Sequence, residues 1–466
     1  MLPKSLIVLV MLCLGFVSPG FSVAPAQSAD VQFTATELLG RPTDTSITVN
    51  MIAGSAVEAY FEYGVKSGVY PGRTPTVTYP AGARIEVVMG ELKPNTRYYY
   101  RMQYRAPGTA QFTSRPENTF HTQRAVGSTF TFTVQSDSHI YDKKGNHSLY
   151  EIALNNQLAD APDFLIDLGD TFGDDHDLNI SEREMDQLHL DQRPFLGIVG
   201  KSAPIFLALG NHEGEGGYYL DVTPPNNLAI YGTKARQRYY PNPVPNQFYT
   251  GNTTAESFVG LPQNYYAWQW GDALFVVIDP YRHSPKDPKV TKDLWDWTLG
   301  QEQYNWLKQT LEQSPAKYKF VFAHHLLGQT RGAVRWAGLY EWGGLGKKGR
   351  EEFSTKRPGW AKPIHQLFVD NNVTIYFQGH DHLYAREELN GVVYQETPMP
   401  SDASYKVGDV NASAYRGTVL NNSGHLRVTV SPSDVTVDYV RAFLPGDGTN
   451  GQIGHSYKVA APSAAK

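Results

Sequence analysis

Cysteine is almost absent from this sequence. Its 466 residues contain one cysteine, Cys13, which lies within the first 26 residues. Disulfide bonds and thiolate-ligated metal sites are therefore excluded from the rest of the chain, whose stability has to come from a hydrophobic core.

Long apolar runs are missing as well, since no stretch approaches the roughly eighteen residues that a membrane-spanning helix needs. We therefore expect a protein without a membrane span.

Basic tracts are also scarce. The formal net charge is −5 at pH 7, and no run of lysine and arginine stands out. Proteins that bind nucleic acid or an anionic membrane surface usually carry such a run. We therefore expect no nucleic-acid partner, and the sequence does not indicate an oligomeric state.

The first residues have the pattern of an export signal. Lys4 precedes an apolar run at 5–17, and residues 24–26 offer a cleavage point with small side chains. The run is too short to span a membrane, so residues 1–26 are predicted to be a secretory signal peptide. The mature protein is then expected to be secreted or periplasmic.

Residues 30–125 show short alternating runs of apolar and polar residues, separated by turn residues and without a convincing helix. This pattern predicts an all-β sandwich. The stretch from Leu92 to Tyr100 is typical of a tyrosine corner, in which a tyrosine hydroxyl bonds to backbone at the end of a sandwich. The segment resembles a fibronectin type III-like domain. We interpret it as a spacer or a wall beside the substrate, with a carbohydrate- or protein-binding module as the alternative.

From residue 128 to residue 443, apolar strands alternate with amphipathic helices, which is typical of a layered α/β domain. Long irregular segments at 215–263 and 328–359 are predicted to form lids near a site. Residues 444–466 are predicted to be a loosely structured tail. Helices are predicted at 149–159 and 301–313.

Five of the apolar strands in this domain end in residues that can bind a metal ion. Because ligands bind at the carboxyl ends of strands in open α/β sheets, we expect these side chains to meet at one edge. Seven oxygen and nitrogen ligands without sulfur suit two ions such as Zn, Fe or Mn. A carboxylate bridges the ions of two-metal hydrolases, and Asp170, which follows Gly169, is the candidate. The seven residues are Asp137, His139, Asp170, Asn211, His324, His380 and His382.

These residues lie in motifs with a known order. Asp137-x-His139, Gly169-Asp170, Gly210-Asn211-His212-Glu213, His324 and Gly379-His380-x-His382 resemble the motifs of the calcineurin-like metallophosphoesterases. With the sandwich in front, the chain resembles the purple acid phosphatases. The resemblance implies a β-sandwich flanked by helices that binds two divalent or mixed-valence metal ions. One ion would be held by Asp137, His139, Asp170 and His382, and the other by Asp170, Asn211, His324 and His380.

The resemblance also implies roles for residues that do not bind metal. His212 would be catalytic, because it would hydrogen-bond the phosphate or protonate the leaving oxygen. Glu213 and Asp381 would orient ligands or neighbouring backbone. Supporting or helix-capping roles are expected for Asp174, Asp175 and His176.

Two positions depart from the purple acid phosphatase pattern. Gly173 stands where that group has a metal-binding tyrosine, so ferric iron would lose an anionic ligand and a divalent pair is favoured. Ala333 and Val334 stand where plant-type members have a histidine pair. Other side chains are then needed to contact the phosphate. The candidates for substrate binding are His212, His325, Arg331 and Arg335.

The sequence therefore predicts an exported, binuclear, metal-dependent phosphatase similar to acid phosphatases. It would hydrolyse small phosphomonoesters through a metal-bridging hydroxide. A phosphodiesterase or nucleotidase that uses the same site is the first alternative. A non-catalytic surface binding protein that keeps the fold is an alternative of another class.

Overall fold

The structure is a computed structural model that describes residues 30–173, 177–407 and 412–461. The predicted signal peptide at 1–26 lies outside the described residues, as do Asp174, Asp175 and His176. Within the three described ranges, no helix is both long enough and apolar enough to cross a membrane.

The N-terminal region is all-β, as predicted. Strands β1, β2 and β6 form one sheet, and β3, β4, β5, β7, β8 and β9 form the other. A core that includes Val49, Phe61 and Tyr100 lies between them. The Tyr98 hydroxyl accepts a hydrogen bond from the backbone N–H of Lys93 at 2.9 Å, which is the predicted tyrosine corner. The strands are β1 (Phe33–Gly40), β2 (Ile47–Ala53), β3 (Val57–Gly64), β4 (Gly72–Arg73), β5 (Val77–Tyr79), β6 (Arg84–Met89), β7 (Arg97–Arg105), β8 (Thr113–Ser114) and β9 (Asn118–His121).

The second region contains two further sheets that pack face to face. Phe132 of one sheet contacts Phe275 of the other, with ring centroids 5.1 Å apart at an angle of 81°. Edge-to-face aromatic contacts of this kind add to the burial of apolar area. The strands are β10 (Phe130–Gln135), β11 (Leu165–Asp167), β12 (Ile205–Leu207), β13 (Thr250–Gly251), β14 (Tyr266–Trp270), β15 (Ala273–Val277), β16 (Tyr318–Phe322), β17 (Ile375–Gln378), β18 (Tyr384–Leu389), β19 (Val392–Glu396), β20 (Thr418–Leu420), β21 (Gly424–Val430), β22 (Asp434–Arg441) and β23 (Ile453–Ala460).

The strand order explains how the ends of distant strands meet. One sheet has the order β12-β11-β10-β21-β22-β23, and the other has the order β13-β14-β15-β16-β17-β19-β18-β20. Strands β10, β11 and β12 are parallel to one another, and so are β15, β16 and β17. All the predicted ligands follow β10, β11, β12, β16 or β17.

Helices cover the outer faces of the two sheets. Leu307 and Leu311 of α5 pack against β15 and β16, and Tyr150 and Leu154 of α1 pack against β11 and β12. The predicted β-sandwich flanked by helices is therefore confirmed. The helices are α1 (His147–Ala159), α2 (Glu182–Gly200), α3 (Leu228–Tyr239), α4 (Pro288–Thr291), α5 (Gly300–Gln313), α6 (Val334–Ala337), α7 (Tyr340–Gly343), α8 (Phe353–Lys356) and α9 (Ile364–Asp370), with short 3-10 helices at Gly217–Tyr219 and Leu294–Asp296.

The predicted loose tail at 444–466 is wrong where the structure describes it. Residues Ile453–Ala460 form β23, which pairs antiparallel with β22 along its length. Backbone hydrogen bonds to β22 hold this strand in place, and its alternate residues Tyr457 and Val459 pack against the core between the sheets.

The segment 215–263 is also more ordered than predicted, because its middle forms the helix α3. The Arg236 side chain of α3 donates to both carboxylate oxygens of Glu215, at 2.7 and 2.8 Å, and both residues are buried. A bidentate pair of this kind holds the helix against the body of the domain. The middle of this segment is therefore helical rather than irregular.

Candidate metal centre

The candidate ligands lie in the first turns after buried parallel strands, and most of these turns are strained. Five non-glycine residues there have positive φ angles. The left-handed region is uncommon for such residues, and strain of this kind is concentrated at functional sites. The residues and angles are Asp137 (59°), His139 (45°), Asp170 (55°), His380 (78°) and His382 (54°).

Glycines allow the turns to approach one another closely. A Cβ atom at Gly379 would lie 1.9 Å from Ser136 Oγ and 2.6 Å from Asp137 Oδ2. A Cβ atom at Gly210 would lie 2.3 Å from Asp170 Oδ1. Any larger residue at either position would therefore push two ligand loops apart.

One group of ligand atoms is centred on Asp137. Its Oδ1 atom lies 3.3 Å from His382 Nε2 and 3.8 Å from His139 Nε2. The two imidazole nitrogens are 3.0 Å from each other. Burial alone would raise the pKa of Asp137, but His324 and His382 outweigh it and hold that pKa well below its ordinary value. Asp137 is thus held as a carboxylate.

A second group contains Asp170, His324 and His380. His324 Nε2 lies 3.0 Å from Asp170 Oδ2 and 3.1 Å from His380 Nδ1. Asp170 also belongs to a third group with His139 and His212, in which the ligand atoms all lie within 4.8 Å of one another. The carboxylate of Asp170 therefore lies next to two pairs of histidines, His324 with His380 and His139 with His212.

Asn211 lies beside this carboxylate. Its neighbour Gly210 packs closely against Asp170 Oδ1. Its other neighbour, His212, donates its backbone N–H to the same oxygen at 2.8 Å. Its own Oδ1 atom is buried and has no hydrogen-bond partner among the described residues.

Orphaned atoms show that the residues fit a metal ion. Besides Asn211 Oδ1, the buried atoms Asp137 Oδ1 and His380 Nε2 make no hydrogen bond within the described ranges. A buried polar atom without a partner costs about 1–3 kcal/mol, and a bound cation removes this cost. Carboxylate, amide and imidazole groups without sulfur suit divalent ions of the first transition row.

Glu213 holds two of the ligand loops together. Its carboxylate accepts hydrogen bonds from the backbone N–H groups of Gly210 at 2.6 Å, Asp170 at 3.0 Å, Thr171 at 2.7 Å and Phe172 at 3.3 Å. Burial and the nearby Asp170 raise the pKa of Glu213 to about 7. This geometry agrees with the predicted role of orienting backbone.

Asp381 has the equivalent role in the loop after β17. It accepts from the backbone N–H of Gly332 at 2.7 Å and from Arg331 Nη1 at 3.0 Å. Arg331 Nη1 also donates to the backbone oxygen of His380. The start of the segment 328–359 is therefore fixed beside the centre.

Two residues at the centre were missed by the sequence reasoning. The Tyr141 hydroxyl lies 2.9 Å from His139 Nδ1, and Asp142 Oδ2 lies 3.2 Å from the same nitrogen. Such partners fix the orientation and tautomer of a metal-binding histidine. Their position two and three residues after His139, within the same loop, was the available signal.

The predicted substrate-binding residues lie in different surroundings. His212 is 12% exposed, and its Nε2 lies 3.8 Å from Asp170 Oδ2. The Arg331 side chain is 44% exposed next to Asp381. Arg335 is exposed and stacks over the Trp336 ring at 4.9 Å. His212 and Arg331 are thus near the ligands, whereas no hydrogen bond or ion pair in the described part of the chain joins Arg335 to them.

His325, which was predicted to contact substrate, lies in the interior of the domain. The side chain is fully buried; Nε2 donates to the backbone oxygen of Gly332 at 2.9 Å, and Nδ1 accepts from the N–H of Leu327 at 3.2 Å. Burial and the neighbouring His324 lower the pKa of His325 to about 3, which agrees with a neutral ring. Both nitrogens therefore hold the loop after β16.

Position 173 has no room for the tyrosine of purple acid phosphatases. A Cβ atom at Gly173 would lie 1.7 Å from the backbone oxygen of His212. The glycine is required because the loops after β11 and β12 touch there. A tyrosinate ligand from this position is therefore excluded by the backbone itself.

Comparisons with known proteins agree with this description. The family model of the calcineurin-like phosphoesterases matches residues 130–384. A solved structure titled as that of PhoD is similar to the chain, with a TM-score of 0.64 and 15% identity over 95% of this chain and 92% of that one. Purple acid phosphatase PPD1 from yellow lupin (Lupinus luteus) seeds gives a TM-score of 0.60 and 18% identity over 91% of this chain and 74% of that one. At these identities the two structures show the fold alone. No curated protein sequence matches the chain.

Proposed function

The chain belongs to the calcineurin-like phosphoesterase family, and we propose that it is an exported phosphatase that uses two metal ions to hydrolyse phosphomonoesters. The observation that carries the proposal is the position of Asp170. Its carboxylate lies within ligand distance of His324 and His380 on one side and of His139 and His212 on the other. A carboxylate shared in this way is the arrangement of a two-metal hydrolase.

The ligands divide into two sets that share Asp170. Asp137, His139 and His382 would complete the first set, and Asn211, His324 and His380 would complete the second. Zn, Mn or Fe would suit both sets. Because Gly173 cannot supply a tyrosinate, a divalent pair fits better than a pair that contains ferric iron.

Bound ions would neutralise phosphate oxygens and lower the pKa of a water shared between them towards neutrality. His212 is the candidate proton donor to the leaving oxygen, since its ring is partly exposed beside Asp170. Arg331 would bind a phosphate oxygen. Its Nη1 atom is engaged with Asp381 and His380, and no hydrogen bond within the described residues uses Nε or Nη2.

Two features of the proposal depend on the sequence pattern. Export rests on the signal-like pattern of residues 1–26, which predicts a secreted or periplasmic protein. The fibronectin type III-like character of the N-terminal sandwich rests on its strand spacing and its tyrosine corner. The phosphate ester would be a small molecule, in line with the absence of basic tracts.

The proposal can be tested with the chain from residue 27 onward. Metal content would be measured, and an aryl phosphomonoester and the matching diester would be assayed with and without a chelator. Asn211→Ala would be compared with Asn155→Ala, which removes an exposed amide of α1 as a control.

We expect about two ions per chain and monoester turnover that is lost on chelation and in Asn211→Ala but kept in Asn155→Ala. Preference for the diester would favour the phosphodiesterase alternative instead. Bound metal without turnover of either ester would favour the non-catalytic alternative. A chain that binds no metal would overturn the mechanism.

A further inference from the structure

Helix α2 carries neighbouring side chains that reach two different parts of the molecule. Gln192 contacts the ligand loops, and Arg193 contacts the N-terminal sandwich. We propose that α2 connects the sandwich to the metal centre, with Gln192 as a positioning residue for the loops of Asp137 and Asp170. The inference rests on the proposed function, because it assigns those loops to metal binding.

Next to the metal centre, the side-chain amide of Gln192 joins the two loops that carry Asp137 and Asp170. Gln192 Nε2 donates to Ser138 Oγ at 3.1 Å and to the backbone oxygen of Thr171. Ser138 stands between Asp137 and His139, and Thr171 directly follows Asp170. Gln192 and both of its partners are buried, so water cannot replace these bonds without entering the interior.

A second side chain of α2 supports the same loop. The His189 ring stacks on the Phe172 ring, with centroids 4.6 Å apart and planes 10° from parallel. Residues three apart lie on one face of a helix, so His189 and Gln192 contact the loop after β11 together. The helix therefore presents one buried face to this loop.

On the side of the sandwich, the buried Arg193 guanidinium is held by backbone and amide groups. Nη1 donates to Asn50 Oδ1 at 2.6 Å, and Nη2 donates to the backbone oxygen of Asn50 at 2.9 Å and to that of Thr36. A buried charge is costly unless it is hydrogen-bonded, so these bonds give the contact a fixed geometry, although Nε has no partner among the described residues. Burial lowers the pKa of Arg193 to about 10, which leaves it charged at neutral pH.

Apolar contacts join the same two parts. Leu38 and Ile52 of the sandwich share a core with Met185 and Leu196 of α2. Beyond the end of the helix, the Tyr100 hydroxyl donates to the backbone oxygen of Lys201 at 2.7 Å. The sandwich is thus more than the spacer that the sequence suggested, because it fixes the helix that holds two ligand loops.

Three variants and one control test the inference. Gln192→Ala removes the amide, and Gln192→Glu keeps its shape but loses the donor. Asn50→Ala loosens Arg193 from within the sandwich. Gln187→Ala on the exposed face of α2 is the matched control. The measurements are the chelator concentration that removes half of the zinc from the loaded protein and the melting temperature of the metal-free protein.

We expect zinc binding about tenfold weaker in both Gln192 variants, because groups that support metal ligands usually have effects of tenfold or more. Asn50→Ala should weaken zinc binding in the same direction although it lies in the other domain, and Gln187→Ala should not. In the double variant Asn50→Ala/Gln192→Ala the losses should not add, since both act through one helix.

Two results would overturn the inference. One is Gln192 variants that keep the wild-type chelator midpoint, and the other is Asn50→Ala that lowers the melting temperature alone. If Gln192→Ala does not fold, Gln192→Glu and Asn50→Ala decide the question. Wild-type protein that binds none of zinc, manganese and iron would instead contradict the proposed function, which separates the two failures.

Discussion

Replacing Glu213 by glutamine should destabilise the protein strongly, although the two side chains have the same shape. Oε1 accepts from the N–H groups of Thr171 and Phe172, and Oε2 accepts from those of Gly210 and Asp170. An amide keeps one oxygen and turns its NH2 group towards two N–H donors. Two hydrogen bonds to a buried carboxylate are therefore lost in either orientation.

A buried donor left without a partner costs about 1–3 kcal/mol, so Glu213→Gln, which leaves two such donors, should lower the free energy of unfolding by roughly 2–6 kcal/mol. The assay is urea unfolding of the metal-free protein, followed by tryptophan fluorescence, so that bound metal does not mask the change. Glu151→Gln on the exposed face of α1 is the control and should change little. A loss below about 0.5 kcal/mol for Glu213→Gln, within the range of ordinary surface substitutions, would refute the reasoning.

Three further outcomes are expected. Gly379→Ala should abolish turnover, because its Cβ would overlap Ser136 Oγ. Gly90→Ala is the control, since a Cβ at that position meets no atom within 4 Å. Full activity of Gly379→Ala would contradict the contact between the loops. Arg331→Ala should raise KM about tenfold with a smaller change in kcat, because one charge-assisted contact to the phosphate is lost. Arg335→Ala should leave KM and kcat near their wild-type values. Steady-state kinetics with an aryl phosphate would check both variants. Zinc added to chelator-treated protein should raise its melting temperature by several degrees, since a ligand that binds only the folded state stabilises that state. An unchanged melting curve would argue against a preformed metal site.

Local sequence signals predicted the strand ends well, because strand and ligand are adjacent in the chain. An apolar run followed by aspartate or histidine indicates both the strand and the side chain that leaves it. The structure brings together the side chains that follow these runs: Asp137, His139, Asp170, His324, His380 and His382. The sequence cannot decide by itself whether His324 or His325 is the ligand, because this depends on how the turn after β16 rotates. In the structure His324, and not His325, is directed to Asp170.

Helix α2 was missed because polar residues interrupt its buried face. His189, Gln192 and Arg193 interrupt the apolar stripe on which a helix prediction depends, and Pro194 lies within the helix. The capping box of Ser181 and Glu184 was the one readable signal of its start. Side chains that serve contacts outside the helix obscure the local pattern. The partners of Gln192 are 21 and 54 residues away in the chain, and those of Arg193 in the sandwich are 143 and 157 residues away.

The strained turns have a consequence for how the protein tolerates change elsewhere. Each non-glycine residue in the left-handed region costs about 1 kcal/mol or more, so the five such residues in the turns after β10, β11 and β17 together consume a sizeable share of the stability that a typical domain possesses. The surrounding sheets must supply that energy. A substitution that weakens the aromatic core between the sheets would therefore reduce ion retention before it unfolds the chain, and ion retention is the more sensitive measure of the integrity of the whole fold.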